Sequence, residues 1–198
     1  MRFFFPSILL LGVLTLISCK EKNKSIYEGC CGTEPTVDTR LIPYDSVDVN
    51  GNIIVHNAEA NVFIPNVFVP GAEFSSTLNL TFRIGFGLGV YNIVSAVYTD
   101  PNGELLFKRE NYYPNQDDFS DGWDGTKPDG SFYYGPFNYR IEIEFIDGQT
   151  KVYSSTACAY KCSEEGFPAA NLPQCVFPSQ NNGNGLPDQT LPGESLCF

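Results

Sequence analysis

The sequence is poor in the residues from which enzymes most often build reactive sites. Its 198 residues include one histidine, one methionine and one tryptophan, and acidic residues outnumber basic ones by 23 to 12. Because the single histidine, His56, has no recognisable nucleophile or metal-ligand partner nearby in the sequence, we expect no enzymatic activity. The net charge of −11 also disfavours nucleic acid and anionic lipid headgroups as partners, since both attract basic surfaces.

An amphipathic helical pattern is missing as well. No long segment repeats apolar residues at the three-and-four spacing of a helix, whereas the chain has 18 glycines, 14 prolines, 11 tyrosines and 16 phenylalanines. Turn-forming and aromatic residues in such numbers argue against a helical bundle. The composition therefore predicts an all-β protein.

A long apolar run occurs only at the N-terminus. Arg2 provides a short positive start, residues 3–17 are nearly all apolar, and charge begins abruptly at Lys20. The run is shorter than the roughly 20 residues of a transmembrane helix and ends in Leu16-Ile17-Ser18-Cys19, as in bacterial lipoprotein leaders. We predict a signal peptide over residues 1–18 and lipidation of Cys19. An ordinary secretory signal that precedes an unmodified cysteine is the alternative.

Cleavage before Cys19 would leave 180 residues with 23 acidic and 11 basic side chains, because the leader contains Arg2 and no acidic residue. This length suits one domain with appendages. We predict a lipidated tether and N-terminal arm over residues 19–59, a core domain over residues 60–158, and a tail rich in cysteine, proline and asparagine over residues 159–198.

Six cysteines remain once Cys19 is assigned to the lipid: Cys30, Cys31, Cys158, Cys162, Cys175 and Cys197. An even number in an exported chain predicts disulfides, and sequence alone leaves their connectivity open. Because a bond between adjacent cysteines is strained, each of Cys30 and Cys31 should reach a partner near the C-terminus. The arm and the tail would then be joined around the core. Zinc binding is the alternative, although no Cys-x-x-Cys pair is present.

Period-two alternation of apolar and polar residues predicts several strands. We expect strands at residues 78–84 and 139–145, a hairpin of residues 91–99 with 104–108, a second hairpin through Asp147-Gly148 to residues 150–154, and an edge strand at residues 53–55. In the tail this periodicity disappears, so we expect only its cysteines to attach the tail to the rest of the protein. Short strands separated by turn residues favour an immunoglobulin-like β-sandwich.

Four segments of the core, in this order and spacing, carry a family resemblance: Pro65-Asn66-Val67-Phe68, Gly103-Glu104-Leu105-Leu106-Phe107, Trp123-Asp124-Gly125-Thr126, and Tyr139 to Gly148. Together they resemble the gliding motility-associated C-terminal domains of Bacteroidota. The resemblance covers roughly residues 60–158 and implies an immunoglobulin-like sandwich. It also implies a link to the type IX secretion system, in which such domains are thought to act as sorting signals. Here a tail of some forty residues follows the domain, so we expect the fold to be reused for another role.

Carboxylates are concentrated in one loop, at Asp117, Asp118, Asp121 and Asp124. Clustered oxygen ligands are what Ca²⁺ requires, so these four residues are a candidate calcium site, although their spacing is not that of an EF-hand. A solvated loop whose Asp-Gly pairs form turns is the alternative. Residues 182–188 are a weaker calcium candidate, because amides replace two of the expected carboxylates.

Aromatic residues are dense around Trp123, Tyr133 and Tyr134. If exposed, these rings could stack on sugars or anchor a protein partner; core packing is the alternative.

The combined expectation is a non-enzymatic, surface-exposed outer-membrane lipoprotein without a cofactor, apart from the calcium candidate. It would act as an accessory or structural subunit bound to an outer-membrane β-barrel protein or to other lipoproteins. The alternatives are a surface module that binds glycans or adhesion ligands, and a stand-alone protein of type IX secretion or gliding.

Overall fold

The computed structural model describes residues 26–71, 80–113, 122–161, 174–191 and 193. They form ten strands: β1 Thr36–Asp38, β2 Leu41–Val47, β3 Ile53–Glu59, β4 Val62–Ile64, β5 Val67–Phe68, β6 Gly85–Phe86, β7 Val90–Thr99, β8 Leu105–Tyr112, β9 Gly135–Phe145 and β10 Thr150–Ala159. A 3₁₀ helix at Pro178–Gln180 is the only helix among these residues. The expected all-β class is therefore confirmed. Within the same ranges no helix is long and apolar enough to cross a bilayer.

The strands make three sheets. The largest has the order β5-β10-β9-β7-β8, the second has the order β1-β4-β6, and the third is the two-stranded β2-β3 hairpin. All pairings are antiparallel except that of β5 with β10, which is parallel.

Strand β9 illustrates why the sequence pattern leads to this core. Tyr139, Ile141, Ile143 and Phe145 are at most 3% exposed, whereas the residues between them point to the other face. Val62 and Ile64 of β4 belong to the same apolar cluster as these side chains. The larger sheet and the β1-β4-β6 sheet therefore share one core.

Both predicted hairpins of the larger sheet are present. Strand β7 pairs with β8, and Asp100 closes their turn by accepting the N–H groups of Asn102 and Glu104 at 2.8 Å. Strand β9 pairs with β10, and the N–H of Gly148 donates to the carbonyl of Phe145 at 2.9 Å. The turn signals in the sequence thus identified these connections correctly.

The strand predicted over residues 78–84 was wrong in its described part, residues 80–84. Only Phe82 pairs there, in a single bridge with Trp123, and the next strand is β6. The partner around Trp123 is a loop and not a strand, so it offers one residue for pairing. Phe82 is nevertheless buried, because its ring packs against the core aromatics.

Disulfides join the N-terminal arm to the core and to the tail. Cys30 is bonded to Cys158 of β10, and Cys31 is bonded to Cys175 of the tail. The prediction that the adjacent cysteines reach separate C-terminal partners is confirmed. Cys162 and Cys197 lie outside the described residues.

The expectation that only cysteines hold the tail was wrong. The buried side chain of Asn66 accepts the N–H of Val176 at 2.7 Å and donates to the carbonyl of Gln174 at 2.6 Å. The Asn66 amide also donates to the carbonyl of Thr33 in the arm at 2.8 Å. One side chain in the Pro65-Asn66-Val67-Phe68 motif thus connects the arm, the core and the tail.

The N-terminal arm runs along β10 from one end of the core to the other. At the first end, Tyr27 packs on Tyr160, and Thr33 contacts Thr156 at 2.9 Å between hydroxyl oxygens. At the second end, Asp38 accepts a hydrogen bond from Lys151 at 2.9 Å. The ten residues of β10 span about 33 Å at roughly 3.3 Å per residue. The described chain therefore starts at one end of the core and enters the β2-β3 hairpin at the opposite end.

Candidate functional site

The β2-β3 hairpin is the candidate functional site, because it carries the largest set of exposed apolar side chains among the described residues. Its register runs from Leu41 opposite Glu59 to Val47 opposite Ile53. Asp48 closes the turn: its side chain accepts the N–H groups of Asn50 and Asn52, both at 2.8 Å. The side-chain amide of Asn52 also donates to Asp48, at 2.9 Å, and is the largest cause of the lowered pKa of Asp48, followed by the main-chain N–H of Asn52.

One face of the hairpin is open to solvent and carries four of its exposed aliphatic side chains, with Asp45 opposite Val55 on the same face. Side chains alternate between the faces of a strand, so the odd-numbered residues of β2 and β3 share one face. On it, Leu41, Val47, Ile53 and Val55 are 65–70% exposed. We call these four residues the apolar face. Val49, in the turn beyond them, is fully exposed.

The opposite face attaches the hairpin to the core at its base only. Ile42 and its cross-strand neighbour Ala58 are buried there, and Ile42 belongs to the main apolar cluster. Farther out, the rings of Tyr44 and His56 stack at 5.2 Å, and Ser46 Oγ lies 2.8 Å from His56 Nε2. The outer half of the hairpin therefore extends beyond the core with a polar-aromatic side and an apolar side.

An open groove continues the apolar face at the base of the hairpin. It has a volume of about 450 Å³ and is lined by Thr39, Arg40, Leu41, Glu59, Asn61 and Leu186. Leu41 belongs to both the groove and the apolar face. The groove therefore meets the apolar face at Leu41.

A charged cluster fixes the position of this base. Asp38 accepts hydrogen bonds from Arg40 at 2.9 Å, from Lys151 at 2.9 Å and from the hydroxyl of Tyr153 at 2.5 Å. Burial alone would raise the pKa of Asp38, but these three donors outweigh it and lower the pKa to about 2. The Arg40 guanidinium also lies 4.2 Å from the centre of the Phe145 ring. The hairpin therefore leaves the core from a rigid point of attachment.

The predicted aromatic site is not assembled at the surface. Trp123 is 1% exposed, and its Nε1 donates to the carbonyl of Thr126 at 2.9 Å. The prediction of Trp123 as a binding residue was therefore wrong, because its ring packs inside the core. Tyr133 is partly buried and donates to the carbonyl of Pro136 at 2.5 Å. Burial, with a smaller contribution from Asp100, raises the pKa of Tyr133 to about 12. Tyr134 packs against a second apolar cluster, beside Cys158.

Three of the four candidate calcium ligands, Asp117, Asp118 and Asp121, lie outside the described residues. The fourth, Asp124, accepts the N–H of Thr126 at 2.8 Å and so has a structural use in its turn. In the weaker candidate, Asn182 accepts the N–H of Asn184 at 2.8 Å, again within a turn. In the described parts of the chain no group of three histidine, cysteine or acidic side chains is placed to hold a metal. Cys19, the predicted lipidation site, is outside the described residues.

Sequence reasoning missed the apolar face. The run Ile53-Ile54-Val55 after Asn50-Gly51 was interpreted as an edge strand, and the strand is present. However, alternation within one strand does not reveal which face the rest of the fold covers. The available signal was the apolar residue at each of Val47 and Ile53, immediately before and after the turn.

No protein-family model, curated protein or solved structure matches the chain.

Proposed function

We propose that this protein is a non-enzymatic, surface-exposed outer-membrane lipoprotein that serves as an accessory subunit of an outer-membrane β-barrel complex. Lipid attached to Cys19 would anchor it. The apolar face of the β2-β3 hairpin would bind the partner.

The observation that carries this proposal is the exposure of that face. Val47, Ile53 and Val55 are adjacent on one face near the turn, Leu41 lies on the same face at the base, and each is 65–70% exposed. Among the described residues, Ile42 at the base joins this hairpin to the main apolar cluster. Contiguous apolar patches of this kind mark interaction surfaces. Because full burial of one such side chain contributes roughly 1.5–3 kcal/mol, covering all four would favour a complex by several kcal/mol.

The position of the hairpin supports a protein partner over the lipid bilayer as its target. The tether enters at the Tyr27 end of the core, and the hairpin leaves at the Asp38 end, about 33 Å away along β10. From Lys20 to Gly29, ten residues could hold the Cys30 bridge no more than about 35 Å from the membrane. In the orientation we propose, the Tyr27 end lies nearer the lipid and the apolar face lies farther from it.

For the fold we propose an immunoglobulin-like sandwich. Two sheets with a shared core, largely antiparallel pairing and short turns support this assignment. The sandwich would act as a rigid support between the anchor and the hairpin.

Isolation of the C-terminally tagged full chain from detergent-solubilised outer membranes tests the function. We expect a β-barrel protein to co-purify in near-equal amount. Replacing the cross-strand pair Val47 and Ile53 by serine should abolish its recovery, because both side chains belong to the apolar face.

The matched control replaces Tyr44 and His56 by serine, a cross-strand pair on the opposite face of the same hairpin. This variant should retain the partner. Recovery of the unsubstituted chain without any stoichiometric partner would contradict the proposed function.

A further inference from the structure

The outer edge of β3 is an open strand edge. Hydrogen bonds that flank the hairpin, from Ala60 N–H to the carbonyl of Arg40 and from Asp48 N–H to the carbonyl of Asn52, join even-numbered pairs. In an antiparallel ladder, bonded and non-bonded pairs alternate. The main-chain groups of the odd-numbered residues Ile53, Val55 and Asn57 therefore point away from β2.

A second contact supports this assignment. The carbonyl of Glu59, the next odd-numbered residue, accepts the N–H of Gly89 at 2.8 Å from outside the hairpin. Beyond that contact, β2 is the only described strand that pairs with β3. Within the described ranges, the three N–H and three carbonyl groups of Ile53, Val55 and Asn57 therefore have no main-chain partner and lie along one edge.

The edges of β2 and β8 carry residues that discourage strand pairing, and residues 53–57 of β3 do not. The outer edge of β2 contains Pro43, which has no N–H, and Asp45. The edge strand β8 contains Lys108-Arg109-Glu110. Proline and charged residues are the usual protection of exposed edges, whereas residues 53–57 include neither a proline nor a formally charged side chain.

We propose that the β3 edge receives an extended strand of a partner protein, which adds to the hairpin as a third strand. The inference deepens the proposed function, on which it rests, by assigning how the partner binds. Main-chain hydrogen bonds to Ile53, Val55 and Asn57 would supply affinity, and the apolar face would select apolar residues at alternate positions of the added strand.

Charge specifies the ends of that strand. Asp48 lies at the turn beyond Ile53, Glu59 lies at the opposite end of β3, and residues 41–59 contain no lysine or arginine. Opposite charges on neighbouring strands stabilise pairing, and like charges oppose it. The partner strand is therefore uncharged in its centre and has lysine or arginine near both ends.

The same charges argue against a second copy of this chain. Antiparallel pairing of two β3 edges would bring Glu59 of each copy towards the acidic turn of the other. Gly89 already occupies the space beside Glu59 that the second turn would enter. A lipid bilayer is also a poor occupant, because hydrocarbon cannot satisfy the open N–H and carbonyl groups.

Hydrogen–deuterium exchange of the full chain at single-residue resolution tests the proposal. It is measured in native outer membranes, in detergent after purification, and in vesicles of phosphatidylethanolamine and phosphatidylglycerol. The detergent and vesicle samples contain the full chain after it has been separated from its partner. We expect exchange of the Ile53, Val55 and Asn57 amides to slow at least tenfold in native membranes relative to these two samples. The amides of Leu41, Asp45 and Val47, on the outer edge of β2, should exchange at similar rates in all three states.

Proline variants give an independent readout. Val55→Pro removes an N–H from the β3 edge and should lower recovery of the partner at least tenfold. Asp45→Pro removes the equivalent outward N–H from the β2 edge and should leave recovery within twofold. Equal thermal stability of the two variants would show that the β2-β3 hairpin folds in each of them.

The outcomes separate the two proposals. A β-barrel partner recovered without slowed exchange at the β3 edge, or retained by Val55→Pro, would overturn strand addition and leave the proposed function standing. Slowed exchange without a β-barrel partner would support strand addition and contradict the proposed complex. Protection that persists in purified detergent dimers would identify a second copy, and protection in lipid vesicles alone would identify a bilayer contact. Either of these results overturns the inference.

Discussion

Asn66 connects three parts of the chain that are far apart in sequence. Its side-chain amide is hydrogen-bonded to main-chain groups of Thr33, Gln174 and Val176. Its own carbonyl accepts the N–H of Cys158 at 2.9 Å. A short polar side chain that is 1% exposed is tolerated here because each of its donors and acceptors has a partner.

Replacing Asn66 by alanine should lower the free energy of unfolding by about 2–3 kcal/mol. The change removes three hydrogen bonds and leaves the buried N–H of Val176 without its acceptor, which carries a desolvation cost. Urea denaturation followed by tryptophan fluorescence measures the effect. Asn57→Ala, at an exposed position, should change stability by less than about 0.5 kcal/mol. A similar loss in both variants would contradict the role of Asn66.

Asp38 should make folding stability depend on acid pH. Its pKa is lowered to about 2 in the folded chain, below the roughly 3.9 of an unfolded aspartate. A carboxylate with a depressed folded pKa stabilises the fold above its unfolded pKa, and this contribution is lost as the pH falls from about 4 to about 2. Thermal unfolding of Asp38→Asn should therefore differ most from the unsubstituted chain above pH 4. The two curves should converge towards pH 2, and a constant difference over this range would refute the assignment.

The Trp123-Asp124-Gly125-Thr126 motif shows how a residue pattern can be detected and its meaning mistaken. Its tryptophan looked like a binding residue, yet Trp123 packs 5.1 Å from the Phe137 ring in the core. Gly125 has a φ of +86°, and a Cβ there would lie 2.3 Å from Pro70 Cβ. The motif is therefore accounted for by a tight turn that closes over the core. The sequence of these four residues alone does not distinguish a structural turn from a ligand-binding loop.

At the scale of elements, the arm and the tail depend on each other through the bond between Cys31 and Cys175. Replacing both cysteines by alanine should lower the free energy of unfolding by roughly 2–5 kcal/mol, as for other disulfides in small exported domains. Denaturant titration measures this loss.

The tail should also become the first site of proteolysis in that variant. Without the bridge, Val176 keeps its hydrogen bond to Asn66, and this hydrogen bond can open while the core stays folded. The tail should therefore open locally before the core unfolds. Limited digestion with proteinase K, followed by mass spectrometry, locates the cuts, because residues 162–198 contain no lysine or arginine for trypsin. Cleavage that begins in β9 or β10 would show that the bridge stabilises the core instead.

Most strands with an alternating pattern were predictable, although the alternation over residues 78–84 did not give a strand in its described part. β7, β8, β9 and β10 follow apolar periodicity and Asp-Gly or Asn-Gly turns; β7 matches its predicted range within one residue, whereas β8, β9 and β10 extend four or five residues beyond the predicted segments. The three-residue strand β1 and the two-residue strands β5 and β6 are too short to show a period. They exist because longer elements position them. The apolar face was unpredictable for the related reason that its exposure depends on what the core leaves uncovered.

At the scale of the whole molecule, the start of the described chain, near Tyr27, and the hairpin lie at opposite ends of the core. A fluorophore attached to a cysteine at Glu34, near the anchored end, should be quenched by spin-labelled lipids more strongly than one at Val49. Both positions are exposed, so labelling should not disturb the fold. Measurements on the lipidated chain in vesicles test this difference. Stronger quenching at Val49 would show that the hairpin contacts the membrane and would contradict the proposed orientation.

The spacing of the two disulfides has a consequence for the time course of folding. Cys30 and Cys31 precede their partners by 128 and 144 residues. Under the proposed export from the N-terminus, two adjacent thiols would emerge before either correct partner. At typical synthesis rates of about 5–20 residues per second, making the intervening chain alone takes roughly 6–30 seconds. During this interval the risk of mispairing would be greatest, and the thiol oxidoreductases of the receiving compartment would determine how much of the protein matures.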